Sequence, residues 1–256
     1  MTPAAYVFLG VFGLMIGSFL NVCISRVPAG ESVVSPRSRC PRCKTLIAWY
    51  DNIPVLSYLM LRGRCRKCGL GISAIYPAVE LVTALAFIGQ GVAIGADPPL
   101  LLVRLIFTAM LIVLFGTDLQ TMRLPNVLTI PGIVIGLACS IALPPGIVAS
   151  LIGAALGAAV PWLIRYVWFR VTGVEAMGLG DVKMLAMIGA FLGWQQVWVV
   201  LFFASLTGAL VGVTMLSIQK RSLASRLPFG TFLAVAAYAA SVVGGPLVAW
   251  YVGLYQ

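Results

Sequence analysis

Eight stretches of the chain are almost continuously apolar: 4–25, 77–95, 98–117, 124–143, 147–169, 182–193, 197–218 and 229–253. Most are about 20 residues long, the length at which a helix crosses a hydrocarbon core roughly 30 Å thick. The connections between them are mostly short and many carry proline or glycine, as in Ala96-Asp97-Pro98-Pro99, Leu124-Pro125-Asn126 and Pro144-Pro145-Gly146. The sixth stretch has only about a dozen residues, too few to span comfortably, and is expected to lie half-buried or beside a water-filled cavity. The first stretch lacks a preceding basic segment and a following small-residue cleavage site, so it reads as a retained span. The pattern predicts an all-α polytopic membrane protein of about eight transmembrane helices. Its organisation is a first helix over 1–27, a polar loop domain over 28–76 and a transmembrane region over 77–256. No internal repeat and no low-complexity tract is evident.

Composition agrees with lipid as the solvent: 61% of the residues are hydrophobic and 9% charged. Charge then adds an orientation. Between Arg26 and Lys67 nine Lys/Arg face only Glu31 and Asp51, giving +7 of the chain's +10. A basic segment can signify nucleic acid, but in so apolar a chain it reads as a cytoplasmic loop facing anionic lipid, and no nucleic-acid partner is expected. With the N-terminus outside, the segments 26–76, 118–123, 165–183 and 219–228 fall inside and hold sixteen of the seventeen Lys/Arg; Arg104, within a span, is the remaining one. Histidine is absent, which excludes histidine-based triads and histidine metal ligands.

The loop carries Cys40-Pro41-Arg42-Cys43 and Cys65-Arg66-Lys67-Cys68, two CxxC units separated by 21 residues. Two such knuckles supply four thiolates for a tetrahedral Zn²⁺, and neighbouring Arg and Lys favour the thiolate form. The loop has little apolar content, so a metal would help it fold. The alternatives are two disulfides or free thiols; a cytoplasmic location argues against stable disulfides. Cys23 and Cys139 lie in apolar runs and read as core residues.

With only seven acidic residues, each position is informative. Asp97 lies in an outside turn and reads as solvated. Asp118 follows the apolar run that ends at Phe115, and Asp181 closes Gly178-Leu179-Gly180-Asp181 at the start of the short sixth stretch. Both fall on the inside face. Alone, Asp181 could cap a helix and Asp118 could pair with Arg123. Two carboxylates on one face at membrane depth are costly and signify function. The glycines Gly178 and Gly180 allow close backbone approach. Paired, one aspartate acts as general base on water while its partner protonates or polarises a scissile carbonyl. The reading from another class is an ion-coupled transporter using the two aspartates as proton or cation sites.

The sequence resembles the type IV prepilin peptidases over nearly its whole length. The resemblance runs through Gly17-Ser18-Phe19-Leu20-Asn21-Val22, both CxxC pairs, Asp51 to Tyr58, Leu61 to Cys65, Ile72 to Glu80, Asp118 to Asn126, Gly178 to Lys183 and Pro228-Phe229-Gly230. It departs at Asn126, where many relatives carry Asp, and at Thr231, where Pro is common. The resemblance implies an aspartic protease of the Gly-x-Gly-Asp class in the inner membrane, with Asp118 and Asp181 as the dyad near the cytoplasmic face. Its substrates would be prepilins or pseudopilins with a basic leader, a cleavage point after Gly and then an apolar helix. A Gly-x-Gly-Asp protease acting on other substrates is the alternative within that class. Lys183 would orient Asp181, lie near lipid headgroups, or be a solvated flank. The loop implies a second activity, methylation of the new N-terminus with S-adenosylmethionine. Glu80, Asp51, Trp49 and Tyr50 are candidates for its sulfonium, against structural readings as a helix start, a turn and loop packing.

Overall fold

The computed structural model describes residues 1–174, 177–219 and 227–253. Lys220, Arg221 and Arg226 of the basic connection 219–228 lie outside the described residues, as does Glu175. Among the described residues are nine α-helices: α1 (Pro3–Arg26), α2 (Leu56–Met60), α3 (Ile75–Ile94), α4 (Pro98–Thr121), α5 (Asn126–Cys139), α6 (Ile147–Thr172), α7 (Leu179–Leu192), α8 (Trp194–Gln219) and α9 (Phe229–Gly253). Each of the eight apolar stretches falls on a helix, and α2 is a short addition inside the polar loop. By length and composition, five are apolar enough to cross a membrane: α1 with its extension to Ala29, α3, α4, α6, and α8 over Trp194–Met215. Two shorter apolar helices are Asn126–Cys139 and the Phe229–Gly245 part of α9.

The chain divides into two compact units, 1–96 and 97–256. Helix α3, placed by the hydrophobic pattern with the region 77–256, packs in the first unit against α1. The reason is a row of small residues. A methyl group added at Gly13 would lie 2.6 Å from Ala84 Cα, and one at Gly17 would lie 2.7 Å from Glu80 Cα. The two backbones therefore touch, as small-xxx-small pairs allow in lipid. Asn21, one turn on, donates from Nδ2 to Gly17 O at 3.2 Å and to Tyr76 O at 3.0 Å. The Gly17-to-Asn21 motif thus fastens α1 to the start of α3.

In the second unit α7 is the central element. Val182 and every residue from Met184 to Leu192 are buried, so the helix is apolar on all sides because protein surrounds all sides. Its Leu185, Met187 and Ile188 join Phe107, Leu111 and Leu114 of α4, Val197 and Val200 of α8 and Leu233 of α9 in one core. Phe107 stacks on Phe191 with ring centroids 4.7 Å apart. Helices α5 and α6 reach α7 through glycines. A methyl at Gly153 or Gly189 would strike the other residue's backbone, one at Gly157 would strike the Leu185 carbonyl, and one at Gly136 would lie 3.0 Å from Ala190 Cβ. At the N-terminus of α4 Asp97 is the N-cap, accepting from Leu100 N–H at 3.1 Å.

Substituting Gly157→Val is expected to lower stability by about 1–3 kcal/mol, because neither backbone has room to retreat. The check is a thermal melt in detergent, with Leu151→Ala on the exposed face of α6 expected to change stability by less than about 0.5 kcal/mol.

Candidate active site and metal centre

Asp118 lies in the last turn of α4 and is 5% exposed. The helix ends at Met122, whose φ of 52° turns the chain back and whose N–H donates to Asp118 O at 2.8 Å. The next residues, Arg123 to Pro125, lead into α5. Leu124 of this turn packs against two glycines from distant parts of the chain. A methyl at Gly180 would lie 2.9 Å from Leu124 Cβ, and one at Gly230 would lie 3.0 Å from both Leu124 Cδ atoms and 2.9 Å from Asp118 Oδ2. Gly180 precedes Asp181 in the first turn of α7, and Gly230 opens α9 beside Asp118. One leucine side chain therefore gathers the turns that carry or adjoin both aspartates.

The two carboxylates lie within Coulombic reach of each other. They are oriented by different means. Asp181 Oδ2 accepts from the Gly178 N–H at 3.2 Å, three residues back, which is the half of a capping box that a glycine N-cap permits. Asp118 Oδ2 accepts from Thr231 N–H at 2.9 Å, far away in sequence. Lys183 does not bond either aspartate: its Nζ donates to Asn126 Oδ1 at 2.9 Å and ties α7 to the start of α5. Leu124, Gly230 and the Thr231 amide have no individual role in the sequence reading, although Pro228-Phe229-Gly230 stands out as a motif.

The first unit holds the cysteines. The Sγ atoms of Cys40, Cys43, Cys65 and Cys68 all lie within 4.8 Å of one another, and the four could hold a metal ion. Cys40 and Cys68 sulfurs are 3.7 Å apart and those of Cys43 and Cys65 are 4.0 Å apart. The two knuckles repeat each other at an offset of 25 residues, counted from Cys40 to Cys65. Cys40 N–H donates to Thr45 O and Cys65 N–H to Leu70 O; Lys44 N–H returns to Cys40 O and Gly69 N–H to Cys65 O. Ile47 N–H donates to Ser38 O and Ile72 N–H to Gly63 O. Residues Lys44 and Gly69 both adopt positive φ, 57° and 68°. The loop therefore does contain a short internal repeat, Arg-Cys-x-x-Cys followed four residues later by Ile, contrary to the expectation of none.

The thiols differ in how strongly their surroundings favour the thiolate. Hydrogen bonds from the Thr45 side chain and main chain bring Cys43 down to about 6. The N–H groups of Cys68 and Lys67 lower Cys65. At Cys68 the Leu70 N–H favours the thiolate, yet burial and the three neighbouring sulfurs push the thiol up to about 11. A cation among the four would remove that opposition.

Asp51 and Glu80 each have an internal partner. The Arg66 guanidinium, inside the second knuckle, donates to Asp51 through Nη2 at 2.6 Å and Nε at 2.9 Å, and holds that carboxyl below the usual carboxylate range. Arg66 also lies over the Tyr50 ring, 5.6 Å from its centroid. Glu80 Oε2 accepts the Val55 N–H at 2.7 Å, and the Ser18 hydroxyl also bonds the Glu80 carboxylate. Val55 has a φ of 58°, a region that β-branched residues avoid. Glu80 thus clamps a strained turn of the loop onto the α1–α3 pair.

The family model for the Bacterial Peptidase A24 N-terminal domain matches residues 11–93, and that for the Type IV leader peptidase family matches residues 105–213. A prepilin leader peptidase/N-methyltransferase of Myxococcus xanthus (strain DK1622) is 47% identical over 223 residues, covering 86% of this chain and 66% of the relative. One of Aeromonas salmonicida (strain A449) is 38% identical over 270 residues, covering 94% of this chain and 91% of the relative. One of Pseudomonas putida is 36% identical over 277 residues, covering 97% and 94%. No solved structure matches the chain.

The sulfur cluster predicts about one tightly held divalent metal ion per chain. Elemental analysis of purified protein checks this, with the Cys40→Ser/Cys65→Ser variant expected to lose the metal and to be cut by trypsin at the loop arginines. Metal-free protein with a protease-resistant loop would refute it.

Proposed function

The chain belongs to the type IV leader peptidase family, and on that premise we propose that Asp118 and Asp181 are the catalytic dyad of an intramembrane aspartic endopeptidase. The observation that carries the proposal is the meeting of the two aspartate turns on Leu124, where Gly180 and Gly230 leave no space for a side chain. The proposed substrates are type IV prepilins or pseudopilins, by the names of the relatives. The ionised aspartate takes a proton from water as the water oxygen bonds the scissile carbonyl carbon. Its protonated partner hydrogen-bonds the carbonyl oxygen as negative charge develops there. The tetrahedral intermediate then collapses, the C–N bond breaks, and the departing amine takes a proton from the dyad. Lys183, bonded to Asn126, contributes by fixing the Gly178–Asp181 turn against α5.

The protein is proposed to lie in the inner membrane with its N-terminus outside and both aspartates near the cytoplasmic face. That placement follows from the Lys/Arg distribution and matches a substrate whose basic leader stays in the cytoplasm while its apolar helix remains in lipid.

Zinc is the metal proposed for the four thiols. Tetrahedral coordination with Zn–S near 2.3 Å requires sulfurs about 3.8 Å apart; the Cys40–Cys68 and Cys43–Cys65 pairs are at 3.7 and 4.0 Å, and all four sulfurs lie within 4.8 Å of one another. The second activity proposed is methylation of the new N-terminal amine. S-adenosylmethionine would supply a methyl group from its sulfonium to the amine nitrogen. Of the candidates for a cationic donor, Trp49 keeps an exposed aromatic face, whereas Asp51 is neutralised by Arg66, which also lies over Tyr50. Glu80, buried and bonded to Val55, would serve that site by holding the loop.

Asp118→Asn and Asp181→Asn are each expected to lower cleavage of a purified prepilin by roughly 10²–10⁴-fold or more while leaving helicity unchanged. Cleavage at the wild-type rate by either variant would refute the dyad. Intact mass of the product, with and without S-adenosylmethionine, reads the methyl transfer. A mature N-terminus that stays unmethylated in its presence would refute the second activity.

A further inference from the structure

The loop between α1 and α3 is pinned in its middle as well as at its ends. Glu80 Oε2 accepts the Val55 N–H at 2.7 Å, and the Ser18 hydroxyl bonds the same carboxylate. Ser18 lies one turn deeper along α1 than Asn21, whose Nδ2 reaches Tyr76 O at the start of α3. At about 1.5 Å per residue, the carboxylate and the Val55 amide bonded to it sit about 5 Å inside the level where α3 begins. Helix α3 has 20 residues. They make about 30 Å, so all of them are needed to cross a hydrocarbon core roughly 30 Å thick. Val55 therefore lies at membrane depth, against the flank of the α1–α3 pair.

The residues after Val55 suit that depth. Ser57 of α2 is turned inward, where its Oγ donates to Tyr50 O and accepts the Ile53 N–H. Leu56, Leu59 and Met60 share the other face, at i, i+3 and i+4, and are 51%, 65% and 73% exposed. The main-chain N–H groups of Ile53, Val55, Leu56, Ser57, Leu59 and Leu61 all have acceptors within the protein, as backbone in lipid requires. Arg62 and Arg64, both exposed, follow at once.

We propose that this face of α2 is inserted at the boundary of headgroups and acyl chains, with Arg62 and Arg64 against anionic phospholipid headgroups. Large apolar side chains beside arginines, about 5 Å deep, match the way interfacial helices hold anionic lipid. A soluble partner could not cover the face without displacing lipid. On the orientation proposed above the leaflet is the cytoplasmic one, although the insertion itself needs only that α1 and α3 cross the membrane. The second knuckle, which begins at Cys65, is thereby kept near the bilayer surface.

The test uses the full-length protein in vesicles of phosphatidylethanolamine and phosphatidylglycerol, with the photo-crosslinking residue p-benzoylphenylalanine in place of Leu59. Illumination is expected to add the mass of one phospholipid, in a yield within about threefold of that from the same group at Leu151 on the exposed face of α6. Phosphatidylglycerol is expected among the adducts at about twice its share of the vesicle or more, and Arg62→Ala/Arg64→Ala to remove that enrichment. If the Leu59 variant does not fold, the same group in place of Met60 decides. Crosslinks only to residues 97–256 or to a second copy, or no product while Leu151 labels, would overturn the insertion. Adducts in the vesicle's own lipid ratio would overturn the headgroup assignment.

Discussion

A helix of fourteen residues is about 21 Å long and cannot by itself bridge a hydrocarbon core. Helix α7 is such a helix, and it carries an aspartate, Asp181, in its first turn. Lipid cannot accommodate its exposed ends, because their unpaired main-chain groups would have no partners there. Protein must therefore enclose it, and much of the second unit is arranged to do so. Glycines on α5 and α6 let those backbones close on α7, while α4, α8 and α9 supply larger side chains to fill what remains. The same enclosure brings the first turn of α7, the last turn of α4 and the first turn of α9 to one place. The site is a by-product of stopping one helix short.

The first unit obeys a different constraint. Its transmembrane part is a close pair of helices fastened by Gly13, Gly17 and Asn21, and its polar loop has almost no apolar core to lean on. Order in that loop comes from three separate anchors: the sulfur cluster, the Asp51–Arg66 pair and the Glu80 carboxylate under Val55. The exposed ion pair contributes little alone. It matters because Arg66 sits within a knuckle, so that the pair ties the turn at residues 49–52 to the thiols.

Much of this was legible from the amino-acid sequence, for identifiable reasons. Apolar runs near the bilayer length mark helices whatever their tertiary partners, and each run found one. Charges are so few that Asp118 and Asp181 stood out, and cysteine spacing marks a cluster because sulfur ligation demands it. The unreadable parts share one property: their chemistry is carried by groups common to every residue or by shape. Leu124 is one leucine among many, and nothing in a sequence says which of them two glycines will embrace. The Thr231 amide is a main-chain donor without a sequence signature. Lys183 had several plausible partners, and only the fold selects Asn126. The assignment of α3 to the first unit was hidden because an apolar run does not reveal which neighbour it touches. The 25-residue repeat was present in the letters but obscured by differing residues between the repeated positions.

That repeat has a consequence for how the loop forms. Each half contributes two sulfurs, and two sulfurs alone do not complete a tetrahedral site. Neither half has anything to gain from being ordered before the other is in place. With a metal at the four thiols, assembly would be cooperative across the whole stretch from Cys40 to Cys68, and the intervening turn, with its Asp51 and strained Val55, would be drawn into the same transition. A metal ion bound by all four thiols would stabilise both halves and the turn between them together.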